Sequence, residues 1–150
     1  MSKGKVRAYV FDIDGTLSLV GDRVGELHRD PPNWDAFYER CGEDEPHAGI
    51  VELFKDLRET DAEIVLLTGR RESVRKHTTK WLRKQGIFAD DYRALLMRPD
   101  GNVKHDTIVK PALLKDAGVE PIVIFEDRDQ MVTHWRGLGF CCCQVAKGDF

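Results

Sequence analysis

A three-layer α/β fold around a central parallel sheet is the architecture this sequence predicts, on two observations. Five short apolar runs alternate with stretches of helical period, the pattern of repeated strand–helix–strand units. Polar residues then stand directly behind the apolar runs, where ligands gather in such sheets. They are Asp12 and Asp14 behind the first run, Thr68 and Arg70 behind the second, and Glu126 and Asp127 behind the fourth.

Val6–Phe11, apolar but for Arg7, reads as a buried first strand. If the strand holds to Asp14 or nearly so, Asp12 and Asp14 project to the same side, since residues two apart share a face. Gly15 then permits a sharp turn through dihedrals closed to other residues. Two neighbouring carboxylates repel, and folds seldom carry such a pair without a metal or a chemical role. A plain acidic turn needs neither the second aspartate nor Thr16.

Residues 18–46 lack a clean period and hold Gly21, Gly25, Pro31-Pro32 and Glu43-Asp44-Glu45-Pro46. Trp34, Phe37 and Tyr38 fall at helical spacing, predicting one short helix in a small cap insertion. These aromatics suit either the core or the stacking of bases. His47–Thr60 predicts a helix with Ile50, Val51, Leu53, Phe54 and Leu57 inward, its start marked by Pro46.

Ile64–Leu67 predicts the second strand, ended by Thr68-Gly69-Arg70. Residues 71–86 predict a helix closed by Gly86. Its inner stripe is Val74, Thr78, Trp81 and Leu82, and its outer face carries Arg71, Arg75, Lys76, Lys80, Arg83 and Lys84. Ala94–Met97 is the third strand. A helix over 106–117 follows, whose regular part Pro111 should delay. Ile122–Phe125 is the fourth strand; Val132, Trp135 and Leu138 mark a helix that Gly139 ends, and Phe140–Val145 is the fifth strand.

At 150 residues with 41% hydrophobic and 33% charged residues, one domain over 1–150 with a single core is expected. No apolar run approaches the ~20 residues of a membrane span, and the acidic pair interrupts any signal-peptide core after the basic start. A cytoplasmic location with no membrane partner is the expectation. The net charge of -3 implies no general polyanion-binding surface. Cys141-Cys142-Cys143 lacks metal-ligand spacing and reads as small hydrophobes of the last strand. The five histidines likewise lack such spacing and read as structural or surface residues.

Asp12-Ile13-Asp14-Gly15-Thr16, Thr68-Gly69-Arg70, a downstream lysine and an acidic pair after a late strand resemble the four motifs of the haloacid dehalogenase superfamily. Arg23, the stretch Lys104–Lys110, Glu126–Val132, Trp135-Arg136 and the ending Gln144–Phe150 narrow the likeness. With them the chain resembles the 3'-phosphatase domains of bacteriophage polynucleotide kinase/phosphatases, essentially from end to end. The resemblance implies a three-layer, Rossmann-like fold with a small cap and a phosphomonoesterase acting on 3'-phosphorylated DNA or RNA ends or nucleotides. It makes Arg23, Arg70 and Asp106 substrate-binding parts of the site. It also implies a Mg2+ held by the Asp12 carboxylate, the Asp14 backbone carbonyl and Asp127. Where the phage enzyme has two aspartates this chain has Glu126-Asp127, so Glu126 is a supporting acid and Asp127 the metal ligand.

The chemistry of the residues agrees. Phosphoryl transfer needs an in-line nucleophile and positive charge around the equatorial oxygens. Asp12 suits nucleophilic attack, Asp14 suits protonating the leaving oxygen and then activating water, and clustered oxygen ligands suit Mg2+. Thr68 and Lys110 would contact the phosphoryl group. By themselves Thr68 also reads as a helix N-cap, Lys110 as a surface lysine, and Arg23 and Arg70 as surface salt bridges. The basic helix face reads as solvated or as steering a polyanion. No Gly-x-x-x-x-Gly-Lys-Ser/Thr occurs, so the expectation is a free-standing phosphatase or one that works beside separate kinase and ligase proteins. A small-molecule phosphatase or 5'-nucleotidase of the same superfamily, and a non-catalytic nucleic-acid-binding module, are the alternatives.

Overall fold

A computed structural model describes residues 4–149; Met1–Lys3 of the basic start and the terminal Phe150 lie outside the described residues. Five parallel strands form the sheet in the order β5-β4-β1-β6-β7. They are β1 (Val6–Phe11), β4 (Ile64–Arg71), β5 (Ala94–Arg98), β6 (Val119–Glu126) and β7 (Cys142–Gln144). Between them run α2 (Ala48–Arg58), α3 (Arg75–Lys84), α4 (Asp106–Asp116) and α5 (Asp129–Gly137). The predicted α/β architecture is the one observed.

Strand alternation builds the three layers. Ile64 and Leu66 of β4 join Phe11 of β1, Val51 and Phe54 of α2 and Trp81 and Leu82 of α3 in one buried cluster. Val65 and Leu67 point the other way, meeting Ala8 and Val10 of β1, Leu114 of α4 and Met131, Val132 and Trp135 of α5. Because both faces are covered, these strands read as continuous apolar runs. Leu138 is 51% exposed, since α5 ends before it turns inward. Among the three consecutive cysteines Cys142 alone is buried; Cys141 and Cys143 are exposed, because β7 is the outermost strand.

Several boundaries move. β1 stops at Phe11, so Asp12 and Asp14 lie in the turn beyond it, and Asp14 forms an isolated bridge with Ser18. β4 runs through Thr68-Gly69-Arg70 to Arg71, with a register shift against β5 over that stretch. α4 starts at Asp106 in spite of Pro111. The His105 side chain accepts from the Thr107 N–H at 3.2 Å and fixes the start, while the proline forgoes one ladder bond, to the Thr107 carbonyl.

Segment 18–46 leaves and re-enters the fold at one place, where β2 (Ser18–Leu19) pairs antiparallel with β3 (Glu45–Pro46). Between them lie a 3-10 helix, Gly21–His28, then α1 (Trp34–Glu39) and a 3-10 turn, Cys41–Glu43. Asn33 caps α1 through the Ala36 N–H at 3.1 Å, the expected use of a short amide at that position. Phe37 and Tyr38 are buried in the core on the α2/α3 side, whereas Trp34 is 38% exposed. Among the described residues no helix is long and apolar enough to cross a membrane.

Candidate active site

The end of β1 lies between β4 and β6, and the Asp12 N–H donates to the Phe125 carbonyl at 3.0 Å. From α4, Lys110 reaches under it: Nζ donates to Asp12 Oδ1 at 2.9 Å and to Glu126 Oε2 at 2.8 Å. Thr16 Oγ1 donates to Asp12 Oδ2 at 3.2 Å and lies 3.5 Å from Asp127 Oδ1. Glu126 Oε1 accepts from the N–H groups of Asp127 and Arg128. All three acids are nearly fully buried.

Such crowding shifts their protonation. Burial and then the Glu126 charge push Asp12 well above the ordinary carboxylate range, against the opposing pull of Lys110. Burial and Glu126 likewise push Asp127 up to about 7. Burial alone would lower the Lys110 ammonium, but Asp12 and Glu126 outweigh it and hold the lysine charged.

Asp12, Glu126 and Asp127 bring one carboxylate oxygen each within 4.8 Å of one another and could hold a metal ion. Two further observations fit a cation. Asp127 Oδ2 is buried without a hydrogen-bond partner among the described residues, a costly state for a carboxylate oxygen. Gly15, at φ +82°, lets the turn pass so close that a Cβ there would lie 2.9 Å from Asp127 Oδ1 and nearer still to Oδ2. All-oxygen donors of this kind suit a hard divalent ion such as Mg2+.

Asp14 takes a different set of partners. Arg23 Nη2 and Arg70 Nη2 both donate to its Oδ1, the latter at 2.7 Å, and Arg70 Nε adds a third bond at 2.9 Å. Burial alone would raise this carboxyl, but Arg70 and Arg23 together hold it far below its usual range. Arg23 is 2% exposed and Arg70 fully buried, so neither is a surface salt bridge. Asp44 completes a quartet, accepting from Arg23 Nε at 2.8 Å and Nη2 at 2.7 Å. Its own backbone carbonyl accepts from Trp81 Nε1 at 2.7 Å. Thr78 Oγ1, on the inner stripe of α3, accepts from Arg70 Nη1 at 3.2 Å.

Thr68 is fully buried, and its Oγ1 accepts from the Arg70 N–H inside β4 at 3.1 Å rather than capping a helix. Asp106 accepts from Arg98 Nη2 and, at 3.1 Å, from Arg128 Nη1. Although burial opposes it, Lys110, Arg98 and Arg128 keep Asp106 below the usual range. Its carboxylate packs on bare backbone, for a Cβ at Gly69 would lie 2.7 Å from Oδ1. Asp106 therefore faces the site as an anion already paired, which aims two arginines.

Asp12, Asp14, Asp106 and Lys110 line one small pocket together with Tyr38, Gly69 and Arg128. Arg23 and Arg70 stand behind Asp14 through the bonds above and Asp127 behind Asp12 by way of Thr16, while Thr68, bonded to Arg70, lies outside the pocket lining. Sequence reasoning gave no site role to Asp44, Arg98 and Arg128, and it marked Thr16 only as part of the opening motif. Asp44 lies in an acidic stretch with Glu43 and Glu45, and its burial among exposed neighbours sets it apart only in three dimensions.

The architecture recurs in known proteins. The class C acid phosphatase from Bacillus anthracis matches at a TM-score of 0.67 over 99% of this chain and 70% of that one, at 18% identity. Chains from two structures of a Pnkp1/Rnl/Hen1 complex, one of them described as an RNA repair complex, match at TM-scores of 0.80. Their identities are 31% and 30%, over 97% of this chain and 47% and 44% of those chains. This chain thus spans less than half the length of those proteins. The fold is the one found in phosphatases of the haloacid dehalogenase type. A family model described as the polynucleotide kinase PNKP phosphatase domain matches residues 6–150, and the chain belongs to that family.

Proposed function

We propose that this protein is a Mg2+-dependent phosphatase that removes 3'-phosphates from nucleic-acid ends or 3'-nucleotides through an aspartyl-phosphate intermediate. The observation that carries the reading is the buried set of Asp12, Lys110, Glu126 and Asp127 in a chain of the PNKP phosphatase family. Asp12 and Asp127, with the Asp14 backbone carbonyl, would hold the metal, while Glu126 is engaged by Lys110. Bound there, Mg2+ would supply positive charge for the phosphoryl oxygens and favour the ionised form of Asp12.

Asp12 attacks phosphorus in line, forming a P–O bond as the bond to the sugar 3'-oxygen breaks. Asp14 gives that oxygen its proton. Asp14 then takes a proton from water, which attacks phosphorus and releases inorganic phosphate from Asp12. The ionised form that Arg23 and Arg70 maintain is the one the second half requires. The first half requires Asp14 to carry a proton, the form that Arg23 and Arg70 disfavour. Lys110 stays charged beside the transferring group throughout. Work beside other proteins of nucleic-acid end repair fits this reading, and the likeness to chains of an RNA repair complex supports it.

The test is phosphate release from 3'-phosphorylated and 5'-phosphorylated oligonucleotides and mononucleotides, with and without Mg2+. Release from the 3' substrates, dependent on Mg2+, is the expected outcome. Release from the 5' substrates alone would sink the proposal.

A further inference from the structure

We infer that the groove beside the catalytic pocket is a nucleobase seat with Trp34 as its stacking platform. The substrate is then a nucleic-acid end whose terminal base is unpaired, rather than any small phosphomonoester. This rests on the 3'-phosphatase reading above and names the part of the substrate that the acid site does not hold.

Volume forces the first step. The pocket over Asp12 offers about 20 Å3. A single water needs roughly 10–15 Å3 by the same kind of measure, so the pocket has no room for a nucleoside, which must lie outside it. The adjoining groove offers about 420 Å3 and shares Trp34, Tyr38, Asp106 and Arg128 with the pocket. A group leaving the pocket on that side enters a space of ligand size.

Trp34 is built as a platform there. Of the three aromatics on α1, Phe37 and Tyr38 are buried and Trp34 is 38% exposed; Trp81 and Trp135 are buried elsewhere. Its ring stacks on Tyr38 at 5.9 Å and 25° and meets Phe37 edge-on at 5.8 Å. Tyr38 in turn donates its hydroxyl hydrogen to the Gly69 carbonyl at 3.0 Å, so the platform is tied to the strand that carries Thr68 and Arg70. One indole face is therefore backed by a fixed ring while the rest opens on the groove. An aromatic face accepts any base, because every base has a π-face.

The charge at the rim suits the backbone that would follow the base. Arg71 lies over the Tyr38 ring at 5.5 Å and pairs with Asp35, whose side chain is 75% exposed. Such exposed pairs are worth little and exchange readily for a phosphate. Lys104, also exposed, lines the same groove. A base lying on Trp34 has left its own helix stack, which is why the terminal nucleotide must be unpaired.

The experiment compares two 3'-phosphorylated oligonucleotides, one with a normal terminal base and one abasic at that position, on wild type, Trp34→Ala and Trp34→Phe. On the base-bearing end, Trp34→Ala should lose on the order of tenfold or more in kcat/KM, chiefly through KM, and Trp34→Phe should recover most of it. On the abasic end, which offers no base to stack, the Trp34→Ala loss should be several-fold smaller than on the base-bearing end. Equal losses on both ends, or none on either, overturn the base seat and leave the 3'-phosphatase reading standing. Wild type inert on both ends overturns both. Should Trp34→Ala not fold, wild type alone decides: equal kcat/KM on the two ends and no quenching of tryptophan fluorescence by the base-bearing end refute the inference.

Discussion

Gly15→Ala should separate the geometry of the acid cluster from the stability of the fold. Gly15 sits at φ +82°, and an added Cβ would lie 2.9 Å from Asp127 Oδ1 and closer to Cγ and Oδ2. Ordinary carbon contacts need about 3.5–4.0 Å, so the Asp127 carboxylate must retreat by about 1.5 Å or more at its nearest oxygen. Misplacement of even about 1 Å costs about a hundredfold in rate, and the Mg2+ concentration for half-maximal activity should rise with it. The left-handed backbone adds strain of about 1–2 kcal/mol for a residue with a Cβ, or roughly 2–8 °C in midpoint for a domain of this size. Gly118→Ala is the matched control, since Gly118 has φ +67° and nothing within 4 Å of its added Cβ. It should show a comparable drop in midpoint with activity and Mg2+ dependence intact. Phosphate release against Mg2+ concentration, beside thermal unfolding, reads both. Gly15→Ala with wild-type rate and Mg2+ dependence, or Gly118→Ala with an equal loss of activity, would refute the reasoning.

Asp12→Asn should abolish turnover while leaving the midpoint unchanged or raised by up to about 4 °C. The amide relieves repulsion from Glu126 and Asp127, and Lys110 keeps Glu126; retained activity would refute the nucleophile. Mg2+ affinity should climb with pH. Asp127, raised to about 7 by burial and Glu126, binds its proton more tightly folded than unfolded. Its contribution to the metal-free fold is therefore complete below about pH 4 and lost as pH rises through about 7. Mg2+ must displace that proton and any held by Asp12, so its dissociation constant should fall by about tenfold or more per unit as pH rises toward 7. The rise in midpoint on adding Mg2+ should be small at pH 5.5 and large at pH 8; a pH-independent shift contradicts the protonation scheme.

The layers and most of the helix faces were legible because periodicity is local: Val74, Thr78, Trp81 and Leu82 are all buried as their spacing demands. The strand ends also carry the polar residues that meet over Asp12. What could not be read was partnership. Asp12 and Asp14 look equivalent in sequence, yet one faces a lysine and two acids and the other two arginines. No local pattern distinguishes Asp44 from Glu43 and Glu45, or foretells that Arg98 will donate to the carbonyls of Gly69, Asn102 and Lys104. Pro111 misled for the opposite reason: a local rule against helix was outweighed by the His105 cap and by burial of Val109, Lys110 and Leu114.

The two-residue ladder of Ser18–Leu19 with Glu45–Pro46 bears on how this scaffold could be re-engineered. Its cut points lie side by side, so the segment between them resembles an interchangeable cassette. It is not freely interchangeable, because Arg23 and Asp44 are inside it and close around Asp14 from that side. Any substitute cassette, however it shaped the substrate's approach, would have to bring its own guanidinium to Asp14 and its own carboxylate to aim it.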